Sequence, residues 1–133
     1  MKPLYLLLAT SALLISTPSQ AQMYSGDYQK CNRGSTPQIE QCVGKQTKMW
    51  DNRLNKAYQE LMSRSSDEQK GLLRTTQRLW IQYRDANCSF YYANEGTIRR
   101  IQAAECRRYM TLQRTCEMEA ANNWEGGIQP GCD

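Results

Sequence analysis

Apolar residues recur with a helical period along most of this chain. Thr36-Pro37 places a hydroxyl N-cap before proline at the first helical position. Ile39, Val43, Trp50, Leu54, Ala57 and Leu61 follow, and from Val43 on the steps are seven, four, three and four. That spacing marks the seam of a helix packed on another helix and predicts a first long helix over 37–63. Ser65-Ser66-Asp67-Glu68-Gln69 is a break and restart. Ser66 with Gln69 has the capping-box pattern, and Asp67 and Glu68 suit a helix N-terminus. Leu73, Gln77, Trp80, Arg84, Cys88 and Tyr91 share one stripe of the second helix, which so short a connection turns antiparallel to the first. Ala93-Asn94-Glu95-Gly96 interrupts the pattern. A third helix starts near Thr97, carries Ile98, Ile101, Glu105, Tyr109, Leu112 and Cys116 on one face, and ends near Asn122-Asn123. There is no strand-like alternation and no internal repeat. The expected fold is all-α: an antiparallel helical hairpin plus a third helix, forming a three-helix domain over residues 37–122.

The two ends lack this period. Residues 1–21 have the form of a secretory signal peptide, with Lys2 as the positive region, an apolar stretch from Leu4 to Ile15, and Ser19-Gln20-Ala21 as the cleavage site. Residues 22–36 mix Gly, Ser, Asp and Asn and suggest an extended leader tied down at Cys31. Residues 123–133 form a tail whose Gly126-Gly127, Pro130 and Gly131 cannot continue a helix. Cleavage leaves about 110 residues, suited to one compact domain. No cysteine follows the expected cleavage site before Cys31, so no lipid anchor is expected, and the mature protein should be soluble and periplasmic or secreted.

Charge and composition narrow the chemistry. The formal net charge is +4, and falls by one when Lys2 leaves with the signal. The charges are mixed in sign along the chain, whereas a nucleic-acid partner would call for a concentrated basic patch. The chain has no histidine, hence neither the usual general base nor the commonest zinc ligand. No nucleophile–base pair or paired carboxylates stand out, so neither an enzyme nor a cofactor is expected. The six cysteines contain no Cys-x-x-Cys, and in an exported chain they point to disulfides rather than metal. Of the 15 possible pairings, sequence proximity favours Cys31–Cys42, Cys88–Cys106 and Cys116–Cys132. A hairpin turning near residue 65 offers a rival, because Cys42 and Cys88 would lie at equal height, leaving Cys31 to reach Cys106.

Polar residues on the helix stripes need partners. A charge on a core-facing stripe is costly unless paired. One reading pairs Arg84 with Asp51 across the hairpin and bonds Gln77 to Asn55, which fixes the register. In the other reading Arg84, Asp85 and Gln77 open onto a cleft and meet a partner.

These residues also carry a resemblance. Cys31 and Cys42 are followed by Asp51-x-x-Leu54-Asn55-x-x-Tyr58-x-x-Leu61. Gln77-x-x-Trp80-x-x-x-Arg84-Asp85-x-x-Cys88 comes next, and after it Gly96-Thr97 and Cys106-x-x-x-x-Thr111-x-x-Arg114-Thr115. The pattern covers about residues 31–116 and resembles the lysozyme inhibitor LprI-like family. The resemblance implies an exported, helical, disulfide-bonded bacterial envelope protein that blocks a host or rival muramidase. It gives Asp51, Asn55, Tyr58, Gln77, Trp80, Arg84, Asp85, Thr111 and Arg114 as motif residues, read here as structural. The first four cysteines fit the family pattern, whereas Cys116 and Cys132 are an extra pair.

A protein partner, lysozyme foremost, calls for a contact surface. Animal-type lysozymes are strongly basic, so docking on one would require a local acidic patch. Asp27 in the Tyr24-Ser25-Gly26-Asp27-Tyr28 leader is one candidate, as are Glu117 and Glu119. Phe90 and Tyr92 flank Tyr91 at the end of helix two and cannot both follow it inward, so they are the aromatic candidates. Trp124 is ambiguous in the same way, and Trp50 and Trp80 suit the core. The alternatives to lysozyme inhibition are an immunity or stress protein neutralising another envelope toxin, and a structural envelope protein. The oligomeric state is open, since a curved face between three helices could bind a target or a second copy.

Overall fold

The computed structural model describes residues 23–24, 26–127 and 129–132; the expected signal peptide lies outside them. Among the described residues there are four helices: α1 (Asp27–Cys31), α2 (Thr36–Ser63), α3 (Asp67–Tyr92) and α4 (Ile98–Asn122). Each long helix begins and ends within about one residue of its predicted limits. The N-cap of α2 is Ser35 rather than Thr36, and the Ser35 amide donates to Gln38 Oε1 at 2.8 Å. Ser66 caps α3 as expected: its hydroxyl accepts from the Gln69 amide at 3.2 Å, and its own amide donates to Gln69 Oε1 at 2.8 Å. No helix among the described residues is long and apolar enough to cross a membrane.

The leader is less extended than its composition suggested. Residues 27–31 form a helical turn that buries Tyr28 and Cys31 against Ile39, Val43 and Ile101. Burial of an aromatic ring and a crosslinked cysteine outweighs the poor local helix propensity.

The hairpin forms, but its arms are not each other's main partners. α4 packs along both α2 and α3, which approach each other far less. α4 runs parallel to α2, as successive contacts show: Arg100 to Glu40 at 2.6 Å, Thr115 Oγ1 to the Trp50 carbonyl at 3.1 Å, and Asn122 Nδ2 to the Ala57 carbonyl at 2.7 Å. It runs antiparallel to α3, because Cys106 bonds Cys88 and Arg114 bonds Gln77 further back along the chain. A helix held between two neighbours must be buried on a broad arc rather than one stripe. α4 accordingly buries Ala103, Arg108, Met110, Thr111, Thr115 and Met118 besides Ile101, Glu105 and Leu112, while Ile98, at its exposed end, stays 52% exposed. α3 buries Cys88 alone.

The three disulfides are Cys31–Cys42, Cys88–Cys106 and Cys116–Cys132. They pin α1 to α2, α3 to α4, and the tail back onto α4. The rival pairing of Cys42 with Cys88 is not formed, since α4 and not α2 supplies the partner of Cys88. The tail lies over Trp50. Gly131 has φ +78°, and a Cβ there would sit 2.9 Å from Trp50 Cη2, so glycine is required by both backbone and space.

Candidate functional site

The strongest polar constellation is internal. Glu105 and Arg108, one turn apart on α4, are 0% and 1% exposed. Arg108 Nε and Nη2 donate to Glu105 Oε2 and Oε1, both at 2.7 Å, a bidentate pair of strong charge-assisted bonds. The Tyr24 amide donates to Glu105 Oε1 at 2.9 Å, which docks the leader onto the buried carboxylate. Asp27 lies 3.7 Å from Arg108 Nη1 and accepts from Trp50 Nε1 at 2.9 Å and Lys30 Nζ at 2.7 Å. Burial works to raise the Asp27 carboxyl. The hydrogen bonds from Lys30 and Trp50, with the charges of Lys30 and Arg108, outweigh it and hold the group below its ordinary range. Burial, then the charge of Glu105, pushes the Tyr24 and Tyr28 hydroxyls up. The network ties leader, α2 and α4 together.

The motif residues assemble differently from either sequence reading. Arg84 does not reach Asp51. It pairs with its neighbour Asp85 at 3.1 Å and stacks over Trp80 at 5.0 Å, and Asp85 also takes Arg107 of α4 at 3.1 Å. Gln77 does not bond Asn55 but accepts from Arg114 Nε at 3.1 Å. Asn55 instead donates to Asp51 one turn back on α2, at 3.4 Å. The reason is the position of α4: polar groups on the inner stripe of α3 meet α4 before they can meet α2. Thr111 turns its hydroxyl onto the Arg107 carbonyl at 2.7 Å and is fully buried. Tyr58 packs with Leu54, Ala57, Leu61, Leu73, Trp80 and Met118. It also lines, with Asn55, Gln77, Arg74 and Arg78, an open groove of about 520 Å³ between α2 and α3.

The three acidic candidates are all engaged within the chain. Asp27 is held as above, Glu117 by Arg114 at 2.8 Å, and Glu119 by Arg53 at 2.6 Å. They form no free acidic patch. The aromatic candidates are separated from each other: being two positions apart on a helix, Phe90 and Tyr92 leave α3 on nearly opposite sides. Both are exposed, as is Trp124, whereas Trp50 is buried and Trp80 half-buried. Phe90 meets Tyr91 edge-to-face, and Tyr92 carries the guanidinium of Arg99 at 5.2 Å from its ring.

Tyr92 rims a hollow of about 410 Å³ where the ends of α2, α3 and α4 meet. Ala103, Ala104 and Cys88 help line it, together with Arg100, Arg107 and Glu40. Arg100 is paired with Glu40 and Arg107 with Asp85, while Arg99 has no carboxylate partner among the described residues. The arrangement is an aromatic residue beside an apolar recess with arginines around it, a form suited to gripping a side chain or loop of another protein. Sequence reasoning missed these arginines and the Glu105–Arg108 pair. Glu105 on an apolar stripe, with an arginine three residues on, was the available signal for the pair.

No curated protein and no solved structure matches the chain. A family model does: the one described as Lysozyme inhibitor LprI matches residues 29–118, a span that holds two of the disulfides, the Gln77–Arg114 link and the Trp80–Arg84–Asp85 cluster. The chain therefore belongs to the lysozyme inhibitor LprI family.

Proposed function

We propose that this protein is an exported, non-enzymatic inhibitor of a muramidase, acting in the periplasm or outside the cell after removal of residues 1–21. Family membership over residues 29–118 carries the reading. Three disulfides fit an oxidising, extracytoplasmic site of action. The contact surface is the end of the bundle around Tyr92. Muramidases cleave with a pair of carboxyl groups in a cleft, and guanidinium is the side chain best shaped to pair with carboxylate. Arg99, stacked on Tyr92 and without an ion-pair partner among the described residues, is the group to enter that cleft. Because inhibitor and animal-type lysozyme are both basic, affinity comes from these short-range contacts and not from long-range steering.

The test is cell-wall lysis by animal, invertebrate and phage-type muramidases in the presence of excess oxidised mature protein. Inhibition of one class is expected, with Tyr92→Ala and Arg99→Ala each raising the half-inhibitory concentration about tenfold or more. Full lytic rates with every enzyme refute the reading and turn the search to other envelope toxins.

A further inference from the structure

α3 carries a second apolar stripe that the fold leaves uncovered. Leu72, Thr76, Leu79, Tyr83, Ala86 and Phe90 follow one another at steps of four, three, four, three and four, and all six are exposed. Leu72, Leu79, Tyr83 and Phe90 stand 63%, 58%, 61% and 69% in solvent. The steps are those of a coiled-coil seam, about 100° around the helix from the stripe that faces α4. Polar groups along the seam make no demand on a partner. The Thr76 hydroxyl bonds the Leu72 carbonyl at 2.9 Å, and in the adjacent uncharged row Thr75 bonds Gly71 and Ser89 bonds Asp85 in the same way.

We infer that this face pairs with a second copy of itself, α3 against α3, antiparallel about a two-fold axis at the level of Ile81. The order of steps is the same read in either direction, so a two-fold operation brings seam onto seam. Leu72 then meets Phe90 of the second copy, Leu79 meets Tyr83 beside the axis, and the two small residues Thr76 and Ala86 face each other one layer further out. An isologous contact of this kind closes on itself. The area is sufficient: each of the four large side chains leaves on the order of 100 Å² exposed. With the small positions and flanks, two copies bury about 1,000–1,200 Å² in total, the lower edge for a specific interface. Dissociation constants of about 1–100 μM match a contact of that size. The seam lies on the side of α3 away from Tyr92 and its hollow, so the pairing does not depend on the proposed inhibition.

Sedimentation velocity of the oxidised mature protein, from about 1 to 500 μM, tests this. The expected result is a monomer–dimer equilibrium that strengthens with added salt, because an apolar contact joins two like-charged copies. The double variant Leu79→Glu/Tyr83→Glu should raise the dissociation constant more than about thirtyfold, with unchanged helical circular dichroism, since both side chains are exposed. A wild-type monomer across the whole range overturns the inference. So does a dimer that survives the double variant, which would place the contact elsewhere. Loss of muramidase inhibition in that variant, with a monomeric wild type, would overturn it too and give the seam to the muramidase instead.

Discussion

Replacing Arg108 by Met removes the guanidinium that, among the described residues, is the one cation hydrogen-bonded to a carboxylate buried away from water. Glu105 is 0% exposed and takes two bonds of 2.7 Å from that guanidinium. After the substitution it keeps, among the described residues, one neutral bond, from the Tyr24 amide. Breaking one side of a buried ion pair costs about 3–5 kcal/mol, a large share of the roughly 5–15 kcal/mol that holds a domain folded. The companion substitution Glu105→Gln removes the stranded charge while keeping an oxygen for the Tyr24 amide. The double variant Glu105→Gln/Arg108→Met should therefore be more stable than Arg108→Met alone, by about 2 kcal/mol. Urea unfolding of the oxidised protein, followed by the fluorescence of buried Trp50 and by far-ultraviolet circular dichroism, measures both. Arg107→Met serves as a control: this neighbour is about half exposed and pairs with a half-exposed Asp85, so its loss should cost less than about 1 kcal/mol. A cost below about 1 kcal/mol for Arg108→Met, or strictly additive effects in the double variant, would refute the assignment of this pair as a coupled core element.

Three further outcomes follow from the same structure. The folded Asp27 carboxyl lies below its ordinary value of 3.8, so in acid the unfolded chain binds its proton first. Its stabilisation is present above that value and lost as pH falls through the lower folded one; Asp27→Asn should flatten the acid limb of stability measured against pH below about 4. Removing the tail crosslink with Cys116→Ser/Cys132→Ser opens a loop of sequence separation 16, with an expected loss of about 3 kcal/mol in denaturant unfolding and unchanged helix content. Arg84→Ala removes a stack on Trp80 and a half-exposed ion pair; it should cost about 1 kcal/mol in thermal unfolding and leave muramidase inhibition intact. A loss of inhibition with normal stability would instead make Arg84 a contact residue.

Local periodicity and capping were enough to place α2, α3 and α4, because a helix N-terminus, a proline at the first position and a 3–4 spacing act within a few residues of chain. The cysteine pairs were within reach for a similar reason, each closing a short loop. Which groups share the core was another matter. Asp27 stands in a segment with no period; docking of α1 on α2 brings it to Trp50, and α4 lying parallel to α2 brings it Arg108. The same placement of α4 explains why Gln77 turned to Arg114 of α4 and not to Asn55, while Arg84 stayed on α3 with Asp85 and Trp80 and did not reach Asp51. α3 shows the limit most plainly. Its sequence holds two stripes at helical spacing, one through Leu73, Trp80, Cys88 and Tyr91 and one through Leu72, Leu79, Tyr83 and Phe90. Spacing alone treats them alike. Packing selected the first, because its disulfide to Cys106 and its Gln77 bond to Arg114 can be made only on the side that meets α4, and that choice left the second stripe facing solvent.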